Sequence, residues 1–326
     1  MTQIKPLKRY LDLADPQTQP RYTGIPTFFR TPYTQDLVGV DVGLIGVPFD
    51  GGVTNRSGTR HGPREVRNQS SLLRKISATG VAPFHDLIIR DLGDAWIEEP
   101  FNLEAALEEI ATFFRRVVAA GVTPVSVGGD HSISLPILRA VAKQPVGMVH
   151  IDAHCDTGDD YMGSRFHHGA PFRRAVEEGL LDPKRVIQIG IRGTTNDPAG
   201  LWRFSNESGM RVLTMDEFHD RGWRFALEEA KRIIGDEPAY LSFDIDSLDP
   251  VYAPGTGTPE AGGISTIEAM RLVRGLTGRN FVGADLVEVS PPFDVGNLTS
   301  FHGASILFEL LCVVAAAKLG RESPAS

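Results

Sequence analysis

The sequence predicts an α/β fold with three layers, α/β/α, and a mainly parallel central sheet. Two observations carry this prediction. Short apolar runs typical of buried strands alternate along the chain with longer segments whose apolar residues have helical spacing. The strand-like runs are apolar almost throughout, as in strands that helices cover on both faces. The chain shows no internal repeat, low-complexity tract or linker, so we expect one domain over residues 38–326 after an irregular N-terminal arm at residues 1–37.

Each strand is predicted from a short apolar run bounded by glycine, proline or a polar residue. In chain order, the predicted strands are residues 40–47, 87–94, 124–127, 146–149, 186–191, 211–215, 239–243 and 281–289.

Helices are predicted where apolar residues recur three or four positions apart between recognisable end signals. Asn102 is expected to cap a helix that closes at Gly121, and Ser265 with Glu268 forms a capping-box pattern at the start of another. Pro63 is expected to start a further helix. The other predicted helices run through residues 135–138, 171–179, 225–234 and 304–318.

Composition narrows the function classes. A net charge of -8 argues against non-specific nucleic-acid binding, which needs a basic face. Residues 1–15 are polar and charged without the apolar core of a signal peptide, and no run of about 18 apolar residues is apparent, so no membrane span is expected. The two cysteines, Cys155 and Cys312, lie in apolar or strand-like contexts. We therefore do not expect a disulfide framework, and we expect a cytoplasmic protein.

Three predicted strands end in side chains that bind metals. After the strand at 146–149, Asp and His recur every second residue, which places three side chains on one face of an extended chain. The carboxyl ends of parallel strands meet at one edge of a sheet, so we expect all these side chains to converge there. Burying them together requires a cation. The candidate ligands are His131, Asp152, His154, Asp156, Asp244 and Asp246.

Four carboxylates and two imidazoles contain too much oxygen for a lone structural zinc and suit two harder divalent ions such as Mn²⁺, with Co²⁺ or Ni²⁺ also compatible. Four negative charges balance two dications. Asp152 and Asp244 are candidates to bridge the ions. Two ions about 3.5 to 4 Å apart hold a bridging water and lower its pKa to near neutral. The predicted product is a hydroxide nucleophile.

Three motifs together resemble the ureohydrolase family, which includes arginase, agmatinase and guanidino-acid hydrolases. They are Gly-Gly-Asp-His at 128–131, Asp-Ala-His-x-Asp-Thr at 152–157 and Ser-Phe-Asp-Ile-Asp-x-Leu-Asp-Pro at 242–250. Supporting stretches lie at 46–50, 61–64, 254–260 and 287–292, and the resemblance covers about residues 20–315. It implies a three-layer α/β/α fold, a binuclear manganese centre and hydrolysis of a guanidino group to urea and an amine. Within the family the sequence is most similar to the agmatinase-like branch.

The resemblance also implies a role for each site residue. It assigns His131 and Asp156 to one manganese ion, His154 and Asp246 to the other, and Asp152 and Asp244 to both.

Beyond the ligands, His168 matches the family's proton-shuttle histidine, and Glu288 matches the carboxylate that pairs with the substrate's guanidinium. Asp156 is expected to orient the hydroxide as well. His150, one step deeper on the ligand face, is interpreted as a hydrogen-bonded core histidine.

The far end of the pocket decides the substrate. The loops at 50–62 and 158–169 supply the candidate contacts Asn55, Arg56 and Tyr161, a stretch similar to that of bacterial guanidinopropionases. A linear guanidino acid, with 3-guanidinopropionate first, is therefore the favoured substrate. The alternatives are 4-guanidinobutyrate, agmatine, and a non-catalytic metal-binding scaffold. The resemblance also suggests a homotrimer or homohexamer.

Overall fold

The computed structural model describes residues 20–194 and 202–320. Within them, eight strands form one sheet in the order β2-β1-β3-β8-β7-β4-β5-β6. Every neighbouring pair is parallel, which confirms the predicted fold class. The strands are β1 (Val42–Val47), β2 (Ile89–Asp94), β3 (Thr123–Gly128), β4 (Val146–Ile151), β5 (Leu181–Ile191), β6 (Arg211–Thr214), β7 (Ala239–Asp244) and β8 (Phe281–Val287).

The helices lie mainly between consecutive strands, as right-handed crossovers in parallel sheets require. They are α1 (Gly62–Ser70), α2 (Pro83–Asp86), α3 (Leu103–Ala119), α4 (Ser134–Val141), α5 (Pro171–Glu177), α6 (Arg203–Ser208), α7 (Met215–Ile234), α8 (Thr266–Gly275) and α9 (Leu298–Lys318). Both predicted caps are confirmed. The Asn102 side chain accepts a hydrogen bond from the backbone of Ala105, and Ser265 with Glu268 forms both bonds of a capping box.

Two helices begin earlier than predicted. Helix α7 starts ten residues upstream of the predicted 225, because Thr214 caps it through the backbone of Glu217, and Gly222 at φ 79° interrupts its apolar periodicity. Helix α9 starts at Leu298 instead of 304, because Asp294 accepts hydrogen bonds from the backbone N–H groups of Thr299 and Ser300. Both extensions are rich in polar residues, so periodicity alone does not reveal them.

The two faces of the sheet carry separate apolar cores. Alternate residues of a strand point to opposite faces, as Leu44 and Ile45 do in β1. Helices α1, α7, α8 and α9 cover one face, and α3, α4 and α5 cover the other. Helix α9 is long and apolar enough to cross a membrane by length and composition, with a mean hydropathy of 1.7, but 78% of that stretch is buried within the protein. Its apolar character is that of a core helix.

The part of the predicted arm that the structure describes, residues 20–37, contributes to the core. Phe28 and Phe29 are buried, and the backbone N–H of Phe28 donates to Asp91 at 2.8 Å. Arg67 stacks over the Phe28 ring at 4.3 Å and forms an ion pair with Asp91. Residues 1–19 lie outside the described part of the chain. The division into an arm and a domain stays a prediction.

Candidate metal centre

Four neighbouring strands in the middle of the sheet, β3, β8, β7 and β4, end at the same edge. At or just beyond those ends lie His131, Glu288, the pair Asp244 and Asp246, and the motif that begins at Asp152. All five of these residues are buried. The structure thus brings together side chains from four separate parts of the sequence. The strand-end argument predicts three of these parts, and the family resemblance adds Glu288.

The first half of the centre is built around one nitrogen. Nδ1 of His131 lies 3.2 Å from Asp152 Oδ2, 2.9 Å from Asp156 Oδ2 and 3.2 Å from Asp244 Oδ2. This nitrogen is buried, and none of the three oxygens meets it with hydrogen-bond geometry. Four donor atoms converge without bonding to one another, which is the arrangement expected around a cation.

The other nitrogen of the same ring shows which tautomer a metal would meet. Nε2 of His131 lies 2.8 Å from the hydroxyl of Ser242, and that hydroxyl donates to Asp285 at 2.7 Å. A hydroxyl has one hydrogen, so Ser242 accepts from the ring and Nε2 carries the proton. When His131 is neutral, its Nδ1 lone pair points at the carboxylates and is available to a metal.

The second half of the centre is built around His154. Its Nδ1 lies 3.2 Å from Asp246 Oδ2 and 3.5 Å from Asp152 Oδ1. Its Nε2 faces Glu260 at 3.6 Å. Asp152 therefore presents one oxygen to each half, as a bridging carboxylate does. This half is more open, since 28% of the His154 side chain is accessible to solvent.

The electrostatics of the cluster fit a bound cation. Burial and the neighbouring carboxylates of Asp246 and Asp152 raise the pKa of Asp244 well above its ordinary value. Burial opposes protonation of His131, yet the close carboxylates of Asp152, Asp156 and Asp244 outweigh burial and raise the pKa of that imidazole well above its ordinary value. The carboxylates thus favour positive charge at this position, which a dication supplies more effectively than a proton. The residues present fit a divalent metal site.

Glu288 links the metal centre to the cleft. Its Oε1 accepts the backbone N–H of His131 at 2.9 Å and lies 2.9 Å from His168 Nδ1. Its Oε2 is buried without a hydrogen-bond partner and belongs to a residue that lines the cleft. Glu288 and Asp156 both adopt the left-handed backbone conformation, at φ 64° and φ 50°. Such conformations are strained for residues other than glycine, and both of these carboxylates line the cleft.

His168 is held from both sides of its ring. Nδ1 contacts Glu288, and Nε2 lies 2.8 Å from the hydroxyl of Thr54. Burial lowers the pKa of His168, but the charge and hydrogen bond of Glu288 outweigh burial and raise it to about 9. The imidazole is therefore protonated at neutral pH and lies at the cleft wall.

The cleft above the centre has a volume of about 580 Å³. Tyr161 lines it, is 44% exposed and lies near His167, with ring centroids 5.8 Å apart. Asn55 and Arg56, the other predicted tail contacts, are not among the lining residues. Arg56 donates to the carbonyl of Gly257 at 3.1 Å and stacks on Phe293. The assignment of substrate contacts stays a prediction.

Several residues near the site have no role predicted from the motifs. Thr54, Glu260, Arg203 and Glu207 lie at the centre or along the cleft. Ser242 offers a signal, because it lies two residues before Asp244 and so on the same face of β7. Arg203 and Glu207 offer none, since a short polar helix looks the same wherever it lies.

A parallel α/β sheet whose strand ends gather histidines and aspartates able to hold a metal ion is typical of a class of metal-dependent enzymes. A family model described as the Arginase family matches residues 40–312. The chain belongs to the arginase family, the ureohydrolases, and the predicted resemblance is confirmed.

Individual relatives cover nearly the whole chain. Guanidinopropionase of Pseudomonas aeruginosa is 55% identical over 299 residues, which are 91% of this chain and 93% of that protein. Guanidinobutyrase of the same organism is 46% identical over 304 residues, 90% of this chain and 94% of that protein. The solved structure of proclavaminate amidino hydrolase from Streptomyces clavuligerus superposes with a TM-score of 0.88 at 39% identity, covering 92% of this chain and all of that one, 100%.

Proposed function

We propose that the chain is a binuclear manganese amidinohydrolase that cleaves a linear guanidino acid, 3-guanidinopropionate first, to urea and the amino acid. One observation carries the proposal. A buried carboxylate oxygen, Oε2 of Glu288, lacks a partner and borders the cleft beside the histidine and aspartate cluster. A guanidinium is the cation whose planar N–H groups suit that oxygen. The identity to the Pseudomonas guanidinopropionase supports the choice of acid.

The six ligands divide between two cation positions. His131 and Asp156 would hold one ion, His154 and Asp246 the other, and Asp152 and Asp244 would contact both. Bound there, two divalent ions supply a water of lowered pKa as the nucleophile for the guanidino carbon.

The protein's own groups orient and protonate the substrate. Oε2 of Glu288 accepts an N–H of the guanidinium, while Oε1 is already occupied by His131 and His168. This division fixes the guanidino carbon over the cluster. Protonated His168 donates its proton to the leaving amine as the C–N bond breaks, and Thr54 and Glu288 hold its ring for that transfer.

The rim of the cleft carries the groups for the substrate's tail. Arg173 is already committed, since it pairs with Asp159 at 2.9 Å and stacks on Phe204 at 4.7 Å. Arg203, on α6, lines the same cleft, is exposed, and forms no ion pair within the part of the chain that the structure describes. We assign the carboxylate of the guanidino acid to Arg203 and the hydroxyl of Tyr161.

Agmatine is the second candidate, because Glu207 also lines the cleft, one helical turn from Arg203. A carboxylate at that place suits an amine tail. The predicted contact Asn55 is retained for either tail. 4-Guanidinobutyrate keeps the carboxylate and differs only in length.

The test is urea release by chelator-treated protein that is then loaded with Mn²⁺, Co²⁺ or Ni²⁺. The substrates are 3-guanidinopropionate, 4-guanidinobutyrate, agmatine and arginine. We expect activity only after metal addition, with the largest kcat/KM for 3-guanidinopropionate. A higher kcat/KM for agmatine would transfer the assignment to the amine. Two bound metals without any urea would indicate the non-catalytic scaffold.

We also propose a cytoplasmic location, from the two cysteines in apolar contexts, and a homotrimer or homohexamer, from the resemblance alone. Light scattering of the purified full chain measures the subunit count. A monomer at micromolar concentration would contradict it.

A further inference from the structure

Behind the metal centre, away from the cleft, lie two buried polar residues that the proposed mechanism does not use. His150 on β4 and Gln188 on β5 are both 0% exposed. They are register partners in the parallel β4–β5 pair. Gln188 Nε2 lies 3.1 Å from His150 Nδ1, and His150 Nε2 lies 2.7 Å from Asp152 Oδ2. Two successive hydrogen-bond contacts thus connect Gln188 on β5, through His150, to Asp152, the carboxylate that faces both halves of the metal centre.

The direction of every hydrogen bond in this chain follows from one backbone carbonyl. Gln188 Nε2 donates to the carbonyl oxygen of Cys155 at 2.6 Å. A flipped amide would place two oxygens against each other there, so the NH₂ group must face Cys155. Its second hydrogen then points to His150 Nδ1, which accepts it. A neutral imidazole that accepts at Nδ1 carries its proton on Nε2, and that N–H donates to Asp152.

The amide oxygen of Gln188 shows that this orientation of the amide costs folding free energy. Oε1 of Gln188 is buried and has no hydrogen-bond partner. Buried polar atoms without partners are rare and unfavourable. Their presence is understandable where both N–H groups of the same amide are needed.

The consequence falls on the orientation of Asp152. Its Oδ1 accepts the backbone N–H of His154 at 2.6 Å and faces the His154 half. Its Oδ2 accepts from His150 and lies 3.2 Å from His131 Nδ1. The carboxylate is thus held by one donor on each oxygen, with one oxygen turned to each half. Phe172 packs on the His150 ring at 4.5 Å between centroids and adds an apolar contact on this side.

We propose that Gln188 and His150 are positioning residues. Gln188 fixes the Nε2–H tautomer of His150, and His150 fixes Asp152 in the orientation that two cations can share. The inference rests on the proposed metal centre and adds residues to it. The competing assignment is His150 as a ligand itself, since its ring lies in a group with His131 and Asp152 whose donor atoms are within 4.8 Å of one another.

Four substitutions separate these assignments. Gln188→Met keeps the volume and removes both N–H donors. His150→Gln keeps an N–H toward Asp152 and an acceptor toward Gln188, whereas His150→Leu keeps neither. Gln69→Met is the matched control, because the Gln69 amide donates to Glu65 within α1 at 2.8 Å. The readouts are the Mn²⁺ dissociation constant by titration, the melting temperature of the metal-free protein, and the ¹⁵N shifts of His150 in that protein.

We expect Gln188→Met and His150→Leu to weaken Mn²⁺ binding about 10- to 100-fold, as is typical for residues that orient a ligand. His150→Gln should remain close to wild type, and Gln69→Met should be unchanged. The ¹⁵N shifts should show a protonated Nε2 and a bare Nδ1 in wild type and a mixture of tautomers in Gln188→Met.

Equal weakening by His150→Gln and His150→Leu would assign His150 as a ligand and overturn the proposal. So would wild-type Mn²⁺ affinity in Gln188→Met, or an Nδ1–H in the wild-type spectrum. The tautomer is read without metal or substrate, so it tests this inference separately. A wild-type protein that binds Mn²⁺ but releases no urea would remove the proposed function and leave the positioning role standing.

Discussion

The floor of the cleft, which is the histidine and aspartate cluster, and its rim, which is the loop with Tyr161 and the helix with Arg203, are built differently. On the floor, the two carboxylates that we propose to bridge the ions each accept a backbone N–H two residues further along the chain. Asp152 accepts from His154 at 2.6 Å, and Asp244 accepts from Asp246 at 2.8 Å. On the rim, Tyr161 and Arg203 project from a loop and a six-residue helix and are exposed. We therefore expect the chemistry to depend on the buried floor and the selectivity to depend on rim elements that can change without disturbing the core. Substitutions on the floor should therefore abolish turnover, and those on the rim should redirect it.

The largest effect is expected for Asp244→Asn, which keeps the shape of the side chain and removes one of the four negative charges. We expect a loss of kcat of about 10³-fold or more and a loss of bound metal, because several kcal/mol of transition-state stabilisation depend on the cations. Urea release and elemental analysis measure the two quantities. Asp236→Asn, at a surface position, is the control. Full activity in Asp244→Asn would show that the cluster is not the reaction centre.

Glu288→Gln comes next, on the boundary between floor and rim. The amide keeps an acceptor for His131 but loses the charge that faces the guanidinium, so kcat/KM should fall about 10²-fold. Metal content should stay near that of wild type, which distinguishes this variant from Asp244→Asn. If kcat/KM were retained while metal was lost, Glu288 would belong to the metal centre and not to substrate binding.

A smaller effect is expected on the rim itself. Arg203→Met should lower the ratio of kcat/KM for 3-guanidinopropionate over agmatine about tenfold, with metal content unchanged, because only the substrate's tail loses a partner. Tyr161→Phe should change the ratio in the same direction. Arg221→Met, on the outer face of α7, is the matched control. An unchanged ratio in Arg203→Met would place the carboxylate contact elsewhere, with Asn55 the next residue to substitute.

The smallest effect concerns the pH dependence of stability in the metal-free protein. The pKa of His168 is raised from the ordinary 6.5 to about 9, with burial opposing and Glu288 favouring the charged form. When a histidine has a higher pKa in the folded than in the unfolded state, it stabilises the folded state. This stabilisation is complete below the unfolded-state pKa and is lost as the pH rises through the folded-state pKa. The difference in unfolding free energy between wild type and His168→Asn should thus be largest below about pH 6.5 and shrink toward pH 9, as urea melts at several pH values would show. A difference that does not change with pH would mean that His168 is neutral throughout.

Much of the floor is visible in the sequence because its signals are local. The recurrence of Asp152, His154 and Asp156 at every second position after one strand marks them as a group before any tertiary contact is known. The structure places them beyond the end of β4, and Asp156, at φ 50°, departs from the extended chain that the prediction assumes. The strand-end rule then brings His131 and Asp244 to the same edge. The caps at Asn102 and Ser265 are local in the same way. The polar first turns of α7 and α9 escape such reasoning, because their caps do not depend on apolar periodicity.

The contacts that only the tertiary structure shows join residues that are far apart in the chain. The strand order places β8 between β3 and β7, and only that order sets Glu288 against the backbone of His131, 157 residues away. The β4–β5 register pairs His150 with Gln188, and the position of α6 brings Arg203 to the cleft. The sequence by itself predicted the fold class, which the structure confirms, and a set of candidate ligands, because strand ends that carry Asp and His can be recognised from local patterns. The neighbours of those ligands depend on strand order and register, which arise only when the whole sheet packs.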